Sequence, residues 1–309
     1  MNLSRSIRLG VAVALASGGA TVLVSTPAQA AQVTATLVAT RSTSTGTWAA
    51  APSPDPSGIT YDPVNRRLVL SDGEVDETRL HRGTNVFFAS LGGKQTARNR
   101  GWTTVPWSHE AVGITHAVAG RVLVPDDDTD RVYSVRVGAN GRPISRATPA
   151  SFSVRPLQGD PEDVTPERGG HLLVVDGVNK AVYDYGPGSN RRFDGVPAAH
   201  GDDTVAKLDV GRYGALDPEG IEYHPTRNTI LVLDSRSKRI YELGRDGSLR
   251  NIISIAAAKP RMPAGITLAP ASNGSGRQNL YIVDRGVDND TNPNENDGRF
   301  YEMSVSFPR

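Results

Sequence analysis

Glu162 and Glu219 hold the same place in two copies of one motif, Pro161-Glu162-Asp163 and Pro218-Glu219-Gly220. In a third copy, "HEAVG", Glu110 lies two residues ahead of that place, and Asp163 adjoins Glu162. Carboxylates that recur at one phase of a repeat are carried by the fold to one region. There they repel unless a cation, a proton or a partner neutralises them. An oxygen-only donor set favours calcium or magnesium over zinc. The expectation is a Ca2+ ion held by Glu162 and Glu219 with Asp163 or Glu110 beside them. The competing expectation is that "PEG" and "PED" are turn formers with solvated Glu side chains, since Ser57 and Ala264 stand at the same phase elsewhere. His109 next to Glu110 supplies an acid–base pair for hydrolytic chemistry.

A second acidic region, "DRGVDNDTNPNENDG" (284–298), holds four Asp, one Glu and four Asn. Asp288, Asp290, Asn292 and Asn294 alternate like the first ligands of an EF-hand loop. Pro293 then replaces the required Gly and Arg299 the closing Glu, so this is an incomplete calcium loop. Asp72, Asp126, Asp176, Asp234 and Asp284 each end an apolar run. A residue present in every repeat is expected to be architectural, accepting backbone N–H groups in an Asx-type turn. Trp102 and Trp107 are expected in loops, where they could line a ligand face or act as a lid over the core.

These residues are ordered by internal repetition. "PSGITYDPVNRRLVLSD" (56–72) recurs as "PEGIEYHPTRNTILVLD" (218–234) and, with an insertion, from Pro263 to Asp284. Looser copies run from Ala111 to Asp126 and from Pro161 to Asp176. The landmarks Gly58, Gly113, Asp163, Gly220 and Gly265 are separated by 55, 50, 57 and 45 residues. Each unit holds short apolar runs bounded by Gly, Pro, Asn or Asp, the pattern of strands and turns. Four strands per roughly 50 residues is one blade of a β-propeller. The fold class is therefore all-β, a propeller of four-stranded blades. Five blades fit, and six would need a degenerate blade hidden in the first or third unit. The last unit lacks a fourth strand, and "VTATLVATRS" (33–42) is expected to supply it and close the ring. A β-sandwich of the same strands would leave the repetition unexplained.

The run "PEGIEYHP…ILVLDSRSKRIYEL" resembles the extracytoplasmic propellers of the NHL, SMP-30/gluconolactonase and SdiA-regulated families, and the esterase-like phytases. The resemblance covers most of the chain after the leader. It implies a propeller fold, and fold alone does not assign chemistry. The phytase relatives are calcium-using phosphate-ester hydrolases, and the lactonase relatives use one divalent metal in the central channel. Neither ligand set is reproduced in full here.

Residues 1–30 read as a secretory signal peptide. Arg5 and Arg8 precede an apolar run, Val11–Val24, and Ala28-x-Ala30 forms a cleavage pattern. The expected product is one domain, 31–309, exported and extracellular. The leader carries two of the 34 basic residues and none of the 33 acidic ones, leaving 32 against 33. That balance argues against nucleic acid as the partner. No later segment is apolar enough to insert in a membrane. With no Cys, disulfides and thiolate chemistry are excluded. A monomer acting on an extracellular ligand is expected, either as a binding module or as a metal-dependent hydrolase of an ester, lactone or phosphoester. No GxSxG elbow or phosphate loop offers another route.

Overall fold

In the computed structural model, residues 30–95, 101–117, 120–155, 157–287 and 292–308 are described. The signal-peptide assignment, apart from Ala30, lies outside them. Five antiparallel sheets form the blades of a propeller. From the axis outward, blade 1 is Gly58–Asp62, Arg67–Ser71, Val86–Ala89 and Gly101–Trp102. Blade 2 is Thr115–Ala117, Arg121–Asp126, Arg131–Arg136 and Ala150–Ser153. Blade 3 is Pro161–Pro166, Leu172–Asp176, Ala181–Gly186 and Thr204–Asp209. Blade 4 is Pro218–His224, Thr229–Asp234, Arg239–Gly244 and Leu249–Ser254. Blade 5 is Pro263–Pro270, Gln278–Asp284, Arg299–Ser304 and, from the other end of the chain, Thr36–Ser42. The face at which the innermost strands start is called upper.

The strands are apolar on both faces because each blade is packed between two others. In "TILVLD", Leu231 and Leu233 enter the core shared with blade 5, while Ile230 and Val232 enter the core shared with blade 3. Three more such cores, between blades 5 and 1, 1 and 2, and 2 and 3, complete the circle. Each wholly buried Leu or Ile contributes about 1.5–3 kcal/mol relative to exposure.

The N-terminal strand closes the ring, but not as one strand in one blade. Residues Ala31–Thr34 lie parallel to Leu249–Ser254 at the edge of blade 4. Residues Thr36–Ser42 then lie antiparallel to Arg299–Ser304 in blade 5. Between them Ala35 is fully buried and donates its N–H to the Ser254 carbonyl at 2.9 Å. Only a small side chain fits where the strap steps from blade to blade. Trp102 also departs from expectation. It lies in the outermost strand of blade 1 rather than in a loop, 7% exposed.

Candidate cation site on the propeller axis

The axis is closed at the level of the repeat landmarks. A Cβ on Gly58 would fall 2.7 Å from Ile114 N, and one on Gly265 2.8 Å from Gly58 Cα. Only glycine allows the inner strands to approach so closely. Where the third repeat has Asp163 instead, its carboxylate is 2% exposed. Asp163 accepts the N–H of Val164 at 2.9 Å and of Ile221 at 3.1 Å, and it also bonds Ile114 N–H. It therefore ties blades 2, 3 and 4 together at the centre. Three backbone N–H groups thus hold its carboxylate at the girdle, below the bulged Glu162 and Glu219.

Above this girdle the strand register slips. Pro161 pairs with Asp176 and Asp163 with Val175, which leaves Glu162 as an extra residue. Pro218 pairs with Asp234 and Gly220 with Leu233, which leaves Glu219 in the same state. A bulge re-aims the side chain it carries, and both Glu carboxyls meet on the axis. Glu162 hydrogen-bonds Glu219, and Asp160 hydrogen-bonds Glu162. Burial, then Glu219, Asp160 and Asp127, push Glu162 well above the ordinary carboxylate range. Burial pushes Glu219 up to about 7 against the pull of Arg285. Glu110 joins the same cup and is pushed up to about 9 by burial, with Asp127 and Glu74 adding to it. Burial first, with Asp160 and Asp128 contributing, raises Asp127 to about 6.

Two glycines make room for these groups. A Cβ on Gly73 would lie 2.8 Å from Glu110 Oε2, and one on Gly177 2.8 Å from Asp160 Oδ2 and 3.1 Å from Glu162 Oε1. The opposing charge comes from Arg285, the residue after the strand-end Asp284. Arg285 Nε donates to Asp55 Oδ1 at 2.9 Å, and its Nη2 pairs with Glu74. One guanidinium, with Lys238 at the rim, thus stands against Glu74, Glu110, Asp127, Asp160, Glu162, Asp217 and Glu219. The donors are all oxygen, as a hard cation requires. They meet in pairs: among the described residues, the set of three carboxylates with ligand oxygens within 4.8 Å of one another is Asp194, Asp202 and Asp203 on blade 3.

Asp55, Glu110, Asp160 and Asp217 all stand three residues before their repeat's landmark. This phase is acidic in four of five repeats, and it was the signal for Asp160 and Asp217, which sequence reasoning passed over. The strand-end Asp residues behave as expected. Asp234 accepts the N–H of Ser237 at 2.8 Å and also bonds Leu216 N–H, and Asp176 accepts from Asn179. His109 points away from the cup, with Nδ1 2.8 Å from Asp76 Oδ2 and its side chain 65% exposed. Trp107 packs on Tyr133 in a tilted arrangement with ring centroids 4.7 Å apart; Trp102 is part of the core between blades 1 and 2, and the half-buried Trp107 packs against that core. Asp288 and Asp290 lie outside the described residues, and Asn292 accepts the Asn294 N–H at 3.1 Å in a local turn.

No protein-family model matches the sequence, and no curated protein sequence matches it. Solved structures do. The glutaminyl cyclase of Myxococcus xanthus matches with a TM-score of 0.52 at 13% identity, over 90% of this chain and 98% of that one. A virginiamycin B lyase from Staphylococcus aureus matches with a TM-score of 0.43 at 12% identity, over 87% of this chain and 73% of that one. A gluconolactonase-like protein matches with a TM-score of 0.44 at 12% identity, over 88% and 93%. The likeness to the cyclase is one of fold, and the chain is a five-bladed β-propeller. Among its described residues no helix is long and apolar enough to cross a membrane.

Proposed function

We propose that the chain is an exported ligand-binding propeller whose upper axial cup takes a divalent cation, calcium. The observation that carries the reading is the pair of bulges that aim Glu162 and Glu219 at one point, with Asp160 bonded behind them. Glu162 and Glu219 would hold the ion. A bound calcium would neutralise the cup and present an electrophilic point to an anionic or carbonyl oxygen of a ligand. The test is calorimetric titration of calcium into the wild type and a Glu162→Gln, Glu219→Gln variant. Binding to the wild type alone is expected, and equal heats in both proteins would remove the axis from the reading.

The same cup predicts a pH dependence. Raised carboxyls keep protons in the folded chain that the unfolded chain releases above about pH 4.5. Their stabilising contribution is complete below that pH, and it is lost as pH rises through about 6 for Asp127, about 7 for Glu219 and about 9 for Glu110. In chelator, the melting temperature is expected to fall between pH 5 and pH 9 through these groups. Calcium should flatten that fall, because the ion replaces the protons. A melting curve indifferent to calcium at every pH would contradict the proposal.

A hydrolase is the second reading, favoured by one observation. Burial raises Glu110 to about 9 and Glu219 to about 7, so the two carboxyls release their protons at different pH, and such pairs divide the acid and base roles. Turnover of an ester, lactone or phosphoester that is lost in both Glu110→Gln and Glu219→Gln would support it. His109→Ala is expected to leave any such rate unchanged, since that ring is engaged with Asp76.

A further inference from the structure

The closed girdle separates the acidic cup from a second feature, a cavity of about 1240 Å3 opening on the lower face. Its roof is made by one residue from each innermost strand, two positions past the landmark: Thr60, Thr115, Thr165, Glu222 and Thr267. Three of these tie neighbouring blades together. Thr60 Oγ1 accepts the His116 N–H at 3.0 Å, Thr165 Oγ1 accepts the Tyr223 N–H at 3.3 Å, and Glu222 accepts the Leu268 N–H while bonding the Thr267 hydroxyl. The other two links, from Thr115 and Thr267, are not made, and the Thr267 hydroxyl is held by Glu222. The residue facing Thr115 is Pro166, which has no N–H to give. The Thr115 hydroxyl therefore stays at the cavity surface with its hydrogen-bonding capacity unspent.

We infer that this cavity is a binding site for a basic amine carrying an apolar, aromatic-sized body, with the ammonium against Glu222 and Thr115. The roof offers acceptors: a carboxyl and a ring of hydroxyls. Burial, and then the neighbouring Asp163, raises Glu222 to about 8, so near neutral pH the site holds a proton that an ammonium would displace. No Lys or Arg lies in the roof; Arg168, Arg191 and Arg192 are exposed at the outer rim, and the half-buried Arg121 on the wall donates to Ser134 Oγ at 3.0 Å. An ammonium offsets the cost of ionising Glu222 in this buried place, which a neutral or an anionic ligand does not. The walls suit an apolar body, with Phe152, Phe193, Tyr223 and Leu268 lining them. Phe193 is braced on Phe152 with ring centroids 5.6 Å apart. Pockets of this kind, apolar with a few converging polar groups, are the usual form of small-molecule sites.

The experiment compares 2-phenylethylamine with 2-phenylethanol by calorimetry or ligand-observed NMR on the intact chain. The amine is expected to bind more tightly by on the order of tenfold, the value of one charge-assisted hydrogen bond over a neutral one. Glu222→Gln keeps an oxygen for the Leu268 N–H, so the fold is retained, and the preference for the amine should vanish. Thr115→Val removes no bond within the protein and should weaken the amine several-fold. Glu162→Gln, in the upper cup, should leave amine binding intact, and calcium should not compete. Equal binding of amine and alcohol, binding of neither, or loss of amine binding in Glu162→Gln rather than Glu222→Gln would overturn the inference. None of these outcomes depends on whether the upper cup holds calcium.

Discussion

Deleting residues 31–42 is expected to lower the melting temperature by at least about 10 °C, equivalent to roughly 3–5 kcal/mol for a chain of this size. The deletion takes away the outer strand of blade 5 and the added strand of blade 4. Each lost ladder hydrogen bond is worth about 0.5–1.5 kcal/mol net, partly offset by the chain entropy the strap no longer surrenders. Two edges are opened, one along the Ile-rich Leu249–Ser254, and open edges recruit other chains. Heating should therefore give aggregates where the intact protein refolds. A synthetic peptide of residues 31–42 added in trans should recover part of the loss by strand addition. An unchanged melting temperature would show that the five inter-blade cores hold the ring without the strap.

Asp163→Gly is expected to cost about 2–4 kcal/mol, although it restores the residue that the other four repeats carry at this phase. The carboxylate receives N–H groups from Ile221, Ile114 and Val164, and each amide left buried without a partner costs about 1–3 kcal/mol. Relief of a buried carboxyl offsets part of this sum. Urea unfolding followed by tryptophan fluorescence measures it. A neutral or stabilising result would mean that closure of the axis is set by glycine packing alone, and that Asp163 is a tolerated intrusion.

The ring was legible because it repeats. Gly58, Gly113, Gly220 and Gly265 mark blade starts for a physical reason: at the axis a Cβ would meet the backbone of the adjacent blade. Strand-end Asp residues were likewise readable as turn makers. The step of the strap at Ala35 was not readable, because either blade 4 or blade 5 could accept an alternating apolar segment. The site was half legible. Glu162 and Glu219 stood out at one phase, but their convergence depends on bulges, which carry no residue signature of their own. Asp160 and Asp217 lie ahead of the matched motif, each just before its proline, and so fell outside the repeat as it was aligned. His109 was drawn towards the site by its place next to Glu110, and in the structure its ring bonds Asp76 instead.

The strap also orders events in time. Among the blade strands its residues are made first and its partners late: Ala31 pairs with Asn251, and Ser42 with Arg299. At synthesis rates of roughly 5–20 residues per second, on the order of ten seconds to a minute separates the two. Throughout that interval blades 1 to 4 can assemble, but the circle cannot close. Contacts spanning most of the chain make closure the slow step of folding. The emerging chain therefore spends that time as an open arc, and the segment that ends this state is the earliest-made of the blade strands.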